Sequence, residues 1–171
     1  MKRFHVHMHV ADLPKNIAFY SALFNAQPAR SELDYAKWML NDPPLNFAIS
    51  TRGSSTGVDH MGIQVDNSSE LVALRAQAQS ADLALLDEGV ANCCYAKSDK
   101  YWLTDPQGVA WEQFHTLASI PVFGEGAASA PATATVAQTA PAKAADCCAP
   151  RAVPAGKPIG IPVAASKSAC C

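Results

Sequence analysis

The chain contains a second copy of its own opening. His5-Val6-His7-Met8-His9-Val10-Ala11-Asp12 is matched by His60-Met61-Gly62-Ile63-Gln64-Val65-Asp66-Asn67, histidine to histidine, valine to valine, and one helix-capping residue to another. Farther along, Tyr35-Ala36-Lys37 recurs as Tyr95-Ala96-Lys97, and Lys37-Trp38-Met39-Leu40-Asn41-Asp42-Pro43 recurs as Lys100-Tyr101-Trp102-Leu103-Thr104-Asp105-Pro106. The spacing between copies grows from 55 to 60 to 63 residues, the mark of a duplicated unit that has taken up loop insertions. Each copy reads as a strand, a helix and three further strands joined by hairpins. The predicted fold class is therefore α+β: two paired βαβββ modules, at about 1–52 and 56–118, forming a cupped mixed sheet around a cavity lined by strand residues.

Local signals support each element. Asp12 is placed to cap a helix whose first turn accepts Pro14 and whose apolar face is Ile17, Tyr20, Leu23 and Phe24. Asn67 with Glu70 makes a capping-box pattern ahead of Leu71, Leu74 and Ala78. Asp42-Pro43-Pro44 and Asp105-Pro106-Gln107-Gly108 separate the last two strands of each module, Gly108 supplying a positive φ.

With 171 residues, 49% hydrophobic content and a formal charge of -2, the chain can build one ordinary core and has no basic excess for gripping phosphates, which argues against a nucleic-acid partner. Met1-Lys2-Arg3 runs straight into a strand-like alternation with no long apolar stretch, so no membrane association and a cytoplasmic location are expected. Composition changes after about residue 118. From Gly124 to Cys171 there is no aromatic residue, and Ala, Pro, Thr, Ser, Lys and Val dominate. Such a segment cannot bury enough apolar area to offset the entropy of ordering, so residues 119–171 are expected to form a flexible tail.

All six cysteines come as adjacent pairs: Cys93-Cys94, Cys147-Cys148 and Cys170-Cys171. Neighbouring cysteines close a strained ring if they bond to each other, so a disulfide framework would space them apart. Side by side, two thiolates can grip one thiophilic centre such as trivalent arsenic, antimony, cadmium or zinc. Buried or cross-linked pairs are the alternative, weakened by two of the pairs lying in a tail with no core.

Three further residues suggest a separate metal site. His5 and His60 open equivalent strands, and Glu112 lies between Trp111 and Phe114 in a terminal strand, an unusual place for an unpaired carboxylate. Two imidazoles and one carboxylate leave three positions open on an octahedral ion, as in non-heme ferrous oxygenases. Core histidines and an ion-paired glutamate are the competing reading. His7 and His9 share a strand face with His5, so the choice among them depends on register; the repeat favours His5. Aligning the runs that end in Asp42-Pro43 and Asp105-Pro106, and shortening the first module's turn by three residues, puts Asn46 opposite Glu112. Tyr95 and Lys97 could serve the thiols, as a donor and a thiolate-stabilising cation, but Tyr35 and Lys37 repeat them where there are no cysteines, which favours a scaffold role.

With His5, His60 and Glu112, the paired modules resemble the vicinal oxygen chelate superfamily of glyoxalases, extradiol dioxygenases and fosfomycin thiol transferases. More narrowly, the run from Asn92 through Cys93-Cys94-Tyr95-Ala96-Lys97 to Asp105-Pro106, together with Asp42-Pro43-Pro44-Leu45-Asn46, resembles the organoarsenical carbon-arsenic lyases and cadmium-induced proteins. The resemblance covers most of residues 1–117. It implies Fe(II)- and dioxygen-dependent cleavage of the carbon-arsenic bond of methylarsenite or an aromatic arsenite, with release of arsenite. On this reading His5, His60 and Glu112 hold catalytic iron, Cys93 and Cys94 hold the arsenical, and Cys147, Cys148, Cys170 and Cys171 collect metalloid. Two other readings stay open: a non-catalytic arsenic- or cadmium-binding resistance protein, and a glyoxalase-like isomerase or thiol transferase. Whether the modules pair within one chain or across a homodimer is also left open.

Overall fold

The computed structural model describes residues 1–124. The two tail cysteine pairs, and the expectation of a flexible tail beyond residue 124, lie outside the described residues. The elements run β1 (Arg3–His9), α1 (Leu13–Phe24), β2 (Arg30–Ser31), β3 (Tyr35–Asn41), β4 (Pro44–Ser50), then β5 (Gly57–Val65), α2 (Ser68–Ser80), β6 (Leu86–Cys93), β7 (Ala96–Thr104) and β8 (Ala110–Ser119). This is the strand-helix-three-strand unit twice over.

The strands form one eight-stranded sheet in the order β2-β3-β4-β1-β5-β8-β7-β6. In each module the first strand pairs in parallel with the last, β1 with β4 and β5 with β8, while the hairpins are antiparallel. The modules meet where β1 and β5 run antiparallel, with Val6 opposite Met61. Those two residues are 55 apart, the repeat spacing, so the pairing lies on the pseudo-twofold axis of the duplication and is made within one chain.

Both helices begin as the capping chemistry requires. Asp12 accepts from the Lys15 N–H at 3.0 Å and Asn67 from the Glu70 N–H at 2.9 Å, satisfying donors that the helix leaves unpaired, each worth about 1 kcal/mol. Helix α1 packs Ile17, Tyr20 and Phe24 on a core of Trp38, Phe47 and Ile49. Leu23 is 62% exposed, so the apolar face is narrower than the expected four residues. Helix α2 buries Leu71 and Ala78, with Leu74 packed at the edge. Gly108 takes φ 87° in its turn, where Asp105 Oδ1 accepts from the Gln107 and Val109 N–H groups.

Residues just past 118 pack on the folded modules. The Ile120 N–H donates to the Tyr95 carbonyl at 3.0 Å, and Phe123, only 2% exposed, packs with Tyr35. The aromatic Phe123 and the apolar Ile120 and Val122 precede the biased composition, and that apolar content lets the segment dock. Among the described residues no helix is long and apolar enough to cross a membrane.

Candidate active site

The cup of the sheet holds one cavity lined by residues of both modules, among them His5, His60, Glu112, Cys93, Cys94 and Lys100. His5 on β1 and His60 on β5 bring their Nε2 atoms to 3.1 Å. Glu112 Oε2 on β8 stands 3.6 Å from His5 Nε2 and 3.5 Å from His60 Nε2. All three side chains are buried. Glu112 reaches this place because β5 and β8 approach closely at Gly62, where a Cβ would lie 2.1 Å from the Glu112 carbonyl oxygen.

The hydrogen bonds fix the tautomers. His5 Nδ1 lies 3.0 Å from the Asn46 carbonyl, which can only accept, so Nδ1 carries the hydrogen and Nε2 presents a lone pair. Burial beside His60 keeps His5 neutral, with its pKa pushed down to about 3. His60 Nδ1 donates to Asp59 Oδ2 at 2.6 Å. With the His5 lone pair facing it, His60 Nε2 carries a proton when no ion is bound. Burial opposes that charge, but the Asp59 and Glu112 carboxylates outweigh it and raise His60 to about 9.

Glu112 stays ionised despite its burial because Lys100 and His60 hold it well below the usual carboxylate range. Lys100 Nζ, itself buried, is 3.2 Å from Glu112 Oε1 and 3.5 Å from Glu88 Oε2. Glu88 is anchored in turn by Trp102 Nε1–H at 2.6 Å.

The donor set fits a divalent ion. Two ligands each about 2.1 Å from one ion stand roughly 3.0–3.4 Å apart at octahedral to tetrahedral angles, close to the 3.1 to 3.6 Å separations found here. His5, His60 and Glu112 thus form one buried group of potential metal donors.

The thiols stand at the tip of the β6–β7 hairpin. Cys93 pairs with Ala96, and the two residues between them, Cys94 and Tyr95, have φ of 55° and 62°. Two successive positive φ values make the tight twisted turn usually given to Asn-Gly. Here two bulky residues adopt it, so their neighbours must hold it. The Tyr95 hydroxyl donates to Asp34 at 2.6 Å. The Arg30 guanidinium lies 4.7 Å from the Tyr95 ring centroid and donates to the Tyr95 carbonyl at 3.1 Å. The Cys93 and Cys94 sulfurs are 2.9 Å apart. Cys93 carries a disulfide in this structure, so capture of a metalloid through it requires the reduced form.

One expectation is corrected by the register. His7 pairs with Ala48 and Gly62 with Glu112, so under the 55-residue offset Ala48, not Asn46, takes the place of Glu112. Ala48 and Glu112 are 64 residues apart, one more than the 63 that separates the two Asp-Pro turns, so the second module gains one residue between turn and ligand rather than three. Asn46 still lines the cavity; its Nδ2 donates to Gln64 and its buried Oδ1 has no hydrogen-bond partner among the described residues. Lys97 is exposed, in keeping with the favoured scaffold role, whereas Lys37 and Lys100 line the cavity. Burial, and then Arg30, lowers the Lys37 pKa, while Cys94 opposes the shift.

Asp59 was missed. Strand alternation would point it away from His60, but a bulge falls between the pairs His7–His60 and Met8–Val58. A bulge re-aims side chains, and this one turns Asp59 toward the histidines.

Residues 2–113 match the model of the Glyoxalase/Bleomycin resistance protein/Dioxygenase superfamily. The chain belongs to this superfamily. Within the vicinal oxygen chelate fold its relatives are narrower in kind. A trivalent organoarsenical cleaving enzyme of Bacillus sp. is 41% identical over 89% of this chain and 93% of its own length. One from Thermomonospora curvata is 32% identical over 86% of this chain and all of its own length. The cadmium-induced protein CadI of Mycobacterium bovis is 37% identical over 74% of this chain and 84% of its own. Among solved structures, the Mn(II)-bound glyoxalase from Novosphingobium aromaticivorans superposes with a TM-score of 0.50 at 18% identity, over 70% of this chain and 42% of that one. That likeness speaks to the fold alone.

Proposed function

We propose that this chelate-fold protein cleaves the carbon-arsenic bond of trivalent organoarsenicals such as methylarsenite, with dioxygen as co-substrate and ferrous iron as cofactor. The observation that carries the reading is the presence of a buried two-histidine, one-carboxylate group and an adjacent cysteine pair in one cavity. A glyoxalase-like isomerase has no need of the cysteines, and a sequestering protein has no need of the triad. The names of its relatives in Bacillus and Thermomonospora support the substrate class.

His5, His60 and Glu112 would hold the iron, which when bound supplies activation of dioxygen. The protein's own residues do the rest. Reduced Cys93 and Cys94 would displace the two exchangeable hydroxyls of methylarsenite, leaving its carbon as the third substituent. Anchoring arsenic at the hairpin tip directs that carbon into the cavity and converts an encounter in solution into a fixed arrangement. Lys100 keeps Glu112 ionised and Asp59 keeps His60 Nε2 pointed inward, so the donors are set before substrate arrives. Atoms balance without a further reductant: methylarsenite and one dioxygen together make formaldehyde and arsenite.

The test is an assay of the reduced, iron-loaded full chain with methylarsenite, aerobically and anaerobically, measuring arsenite and formaldehyde. The two products should appear in equal amounts and only with dioxygen. Stoichiometric binding with no arsenite release in air would make the protein a sequestering one.

A further inference from the structure

A second group of donors stands beside the triad on the same sheet face. His7 Nδ1 is 3.3 Å from Asp59 Oδ2, and His9 Nδ1 is 3.7 Å from Asp59 Oδ1. The three donor atoms all lie within 4.8 Å of one another. We propose that His7, His9 and Asp59 form a second divalent-cation site, distinct from the His5–His60–Glu112 group and nearer the surface.

Four observations converge on it. First, the 3.3 Å between His7 Nδ1 and Asp59 Oδ2, a hydrogen bond without an ion, lies in the range of ligands sharing one ion, roughly 3.0–3.4 Å, and His9 Nδ1, at 3.7 Å from Oδ1, is a few tenths of an ångström outside it and too far to hydrogen-bond. Second, His7 is buried and its Nε2 is tied to the Ser50 hydroxyl at 3.1 Å; a second hydrogen bond of this kind orients a ligating imidazole. Third, the loop after β4 lies directly over His9, where a Cβ on Gly53 would stand 1.8 Å from His9 Nδ1. Any other residue at 53 would push the ring aside, so glycine lets His9 keep Nδ1 toward Asp59. Fourth, the β5 bulge brings Asp59 to this face, and no regular strand would.

The donor set names the class of ion. Two imidazoles and one carboxylate suit borderline divalent cations such as zinc, cobalt or nickel, rather than soft ions that prefer thiolate. The His9 and Asp59 side chains are 14% and 16% exposed, which leaves a path for the ion and for water to complete its coordination. Asp59 also joins the two groups, because its Oδ2 accepts from His60 Nδ1. An ion drawing on Asp59 therefore alters the carboxylate that orients a triad histidine, and any such effect on affinity must be reciprocal.

The probe is Co(II), titrated into the full chain after its cysteines have been blocked with iodoacetamide, so that thiol sites do not count. Two ions per chain are expected for the wild type, one for His9→Ala, and one for Glu112→Ala. Crystals grown with Zn(II) should show anomalous density at both groups in the wild type, and at the triad alone in His9→Ala. His9 lies at the rim of the fold; His9→Gln, which keeps size and polarity, serves as a second variant and should also bind one ion. One Co(II) per chain in the wild type, with zinc density at the triad only, would overturn the second site. Loss of metal from Glu112→Ala tests the triad separately, so the two assignments can fail independently.

Discussion

Lys100 binds one oxygen of Glu112 and leaves the other to the histidines: Nζ is 3.2 Å from Oε1, while Oε2 faces His5 and His60. A buried carboxylate is thereby kept charged without its ligand atom being used up. Removing one partner of a buried ion pair costs about 3–5 kcal/mol because the other charge is stranded. Lys100→Met should lower the thermal midpoint strongly in metal-free protein and much less in protein loaded with Co(II), since the ion supplies the missing positive charge. Equal losses in both forms would show that Lys100 acts through packing alone.

The metal-free triad holds a proton that an ion must displace. Because His60 is raised to about 9, it is protonated throughout the neutral range, and metal affinity is lost as pH falls below that value. Affinity for Co(II) at the triad, measured in His9→Ala with cysteines blocked, should rise about tenfold per pH unit from 6 to 8, with about one proton released per ion. A flat profile over that range would mean that His60 is neutral before the ion arrives.

The architecture was legible because the duplicated segments carry caps, turns and apolar periodicity that agree with one another. Asp12 and Asn67 cap helices as read, and the spacing of His5 and His60 places the pseudo-twofold axis. The residues that position the site were harder to read. Asp59 depends on a bulge, a departure from alternation that leaves no mark in a single sequence. Lys100 looked like a repeat of Lys37, and its pairing with Glu112 requires the β7–β8 register. Phe123 was lost to the tail because the low-complexity composition begins immediately after it.

The Cys94–Tyr95 turn should depend on its anchors. Tyr95→Phe removes the hydroxyl that the Asp34 carboxylate accepts from and costs about 1.5–3 kcal/mol. Its effect should fall on capture: a several-fold weaker affinity for methylarsenite in the reduced protein, with Co(II) affinity at the triad unchanged. Equal loss of both would mean that the variant disturbs the whole cavity.

Two truncations separate fold from tail. A chain ending at Leu117 loses Ile120 and buried Phe123, which hold the hairpin tip; deleting a buried Phe side chain costs about 3–5 kcal/mol. It should show a lowered thermal midpoint and poor arsenical capture. A chain ending at Gly124 should keep the fold and its turnover at saturating methylarsenite, losing rate only at low concentration, where the tail cysteines would raise local metalloid concentration. Loss of saturated turnover in a folded, iron-loaded chain ending at Gly124 would bring a tail cysteine into the site.

The central claim is that thiols and triad divide one reaction between capture and cleavage. The direct measurement compares reduced, iron-treated wild type, Glu112→Ala and Cys94→Ser for bound methylarsenite and released arsenite. Glu112→Ala should bind methylarsenite at near wild-type affinity and release no arsenite, whereas Cys94→Ser should retain iron and lose capture. Arsenite release by Glu112→Ala at a rate near that of the wild type would contradict the account.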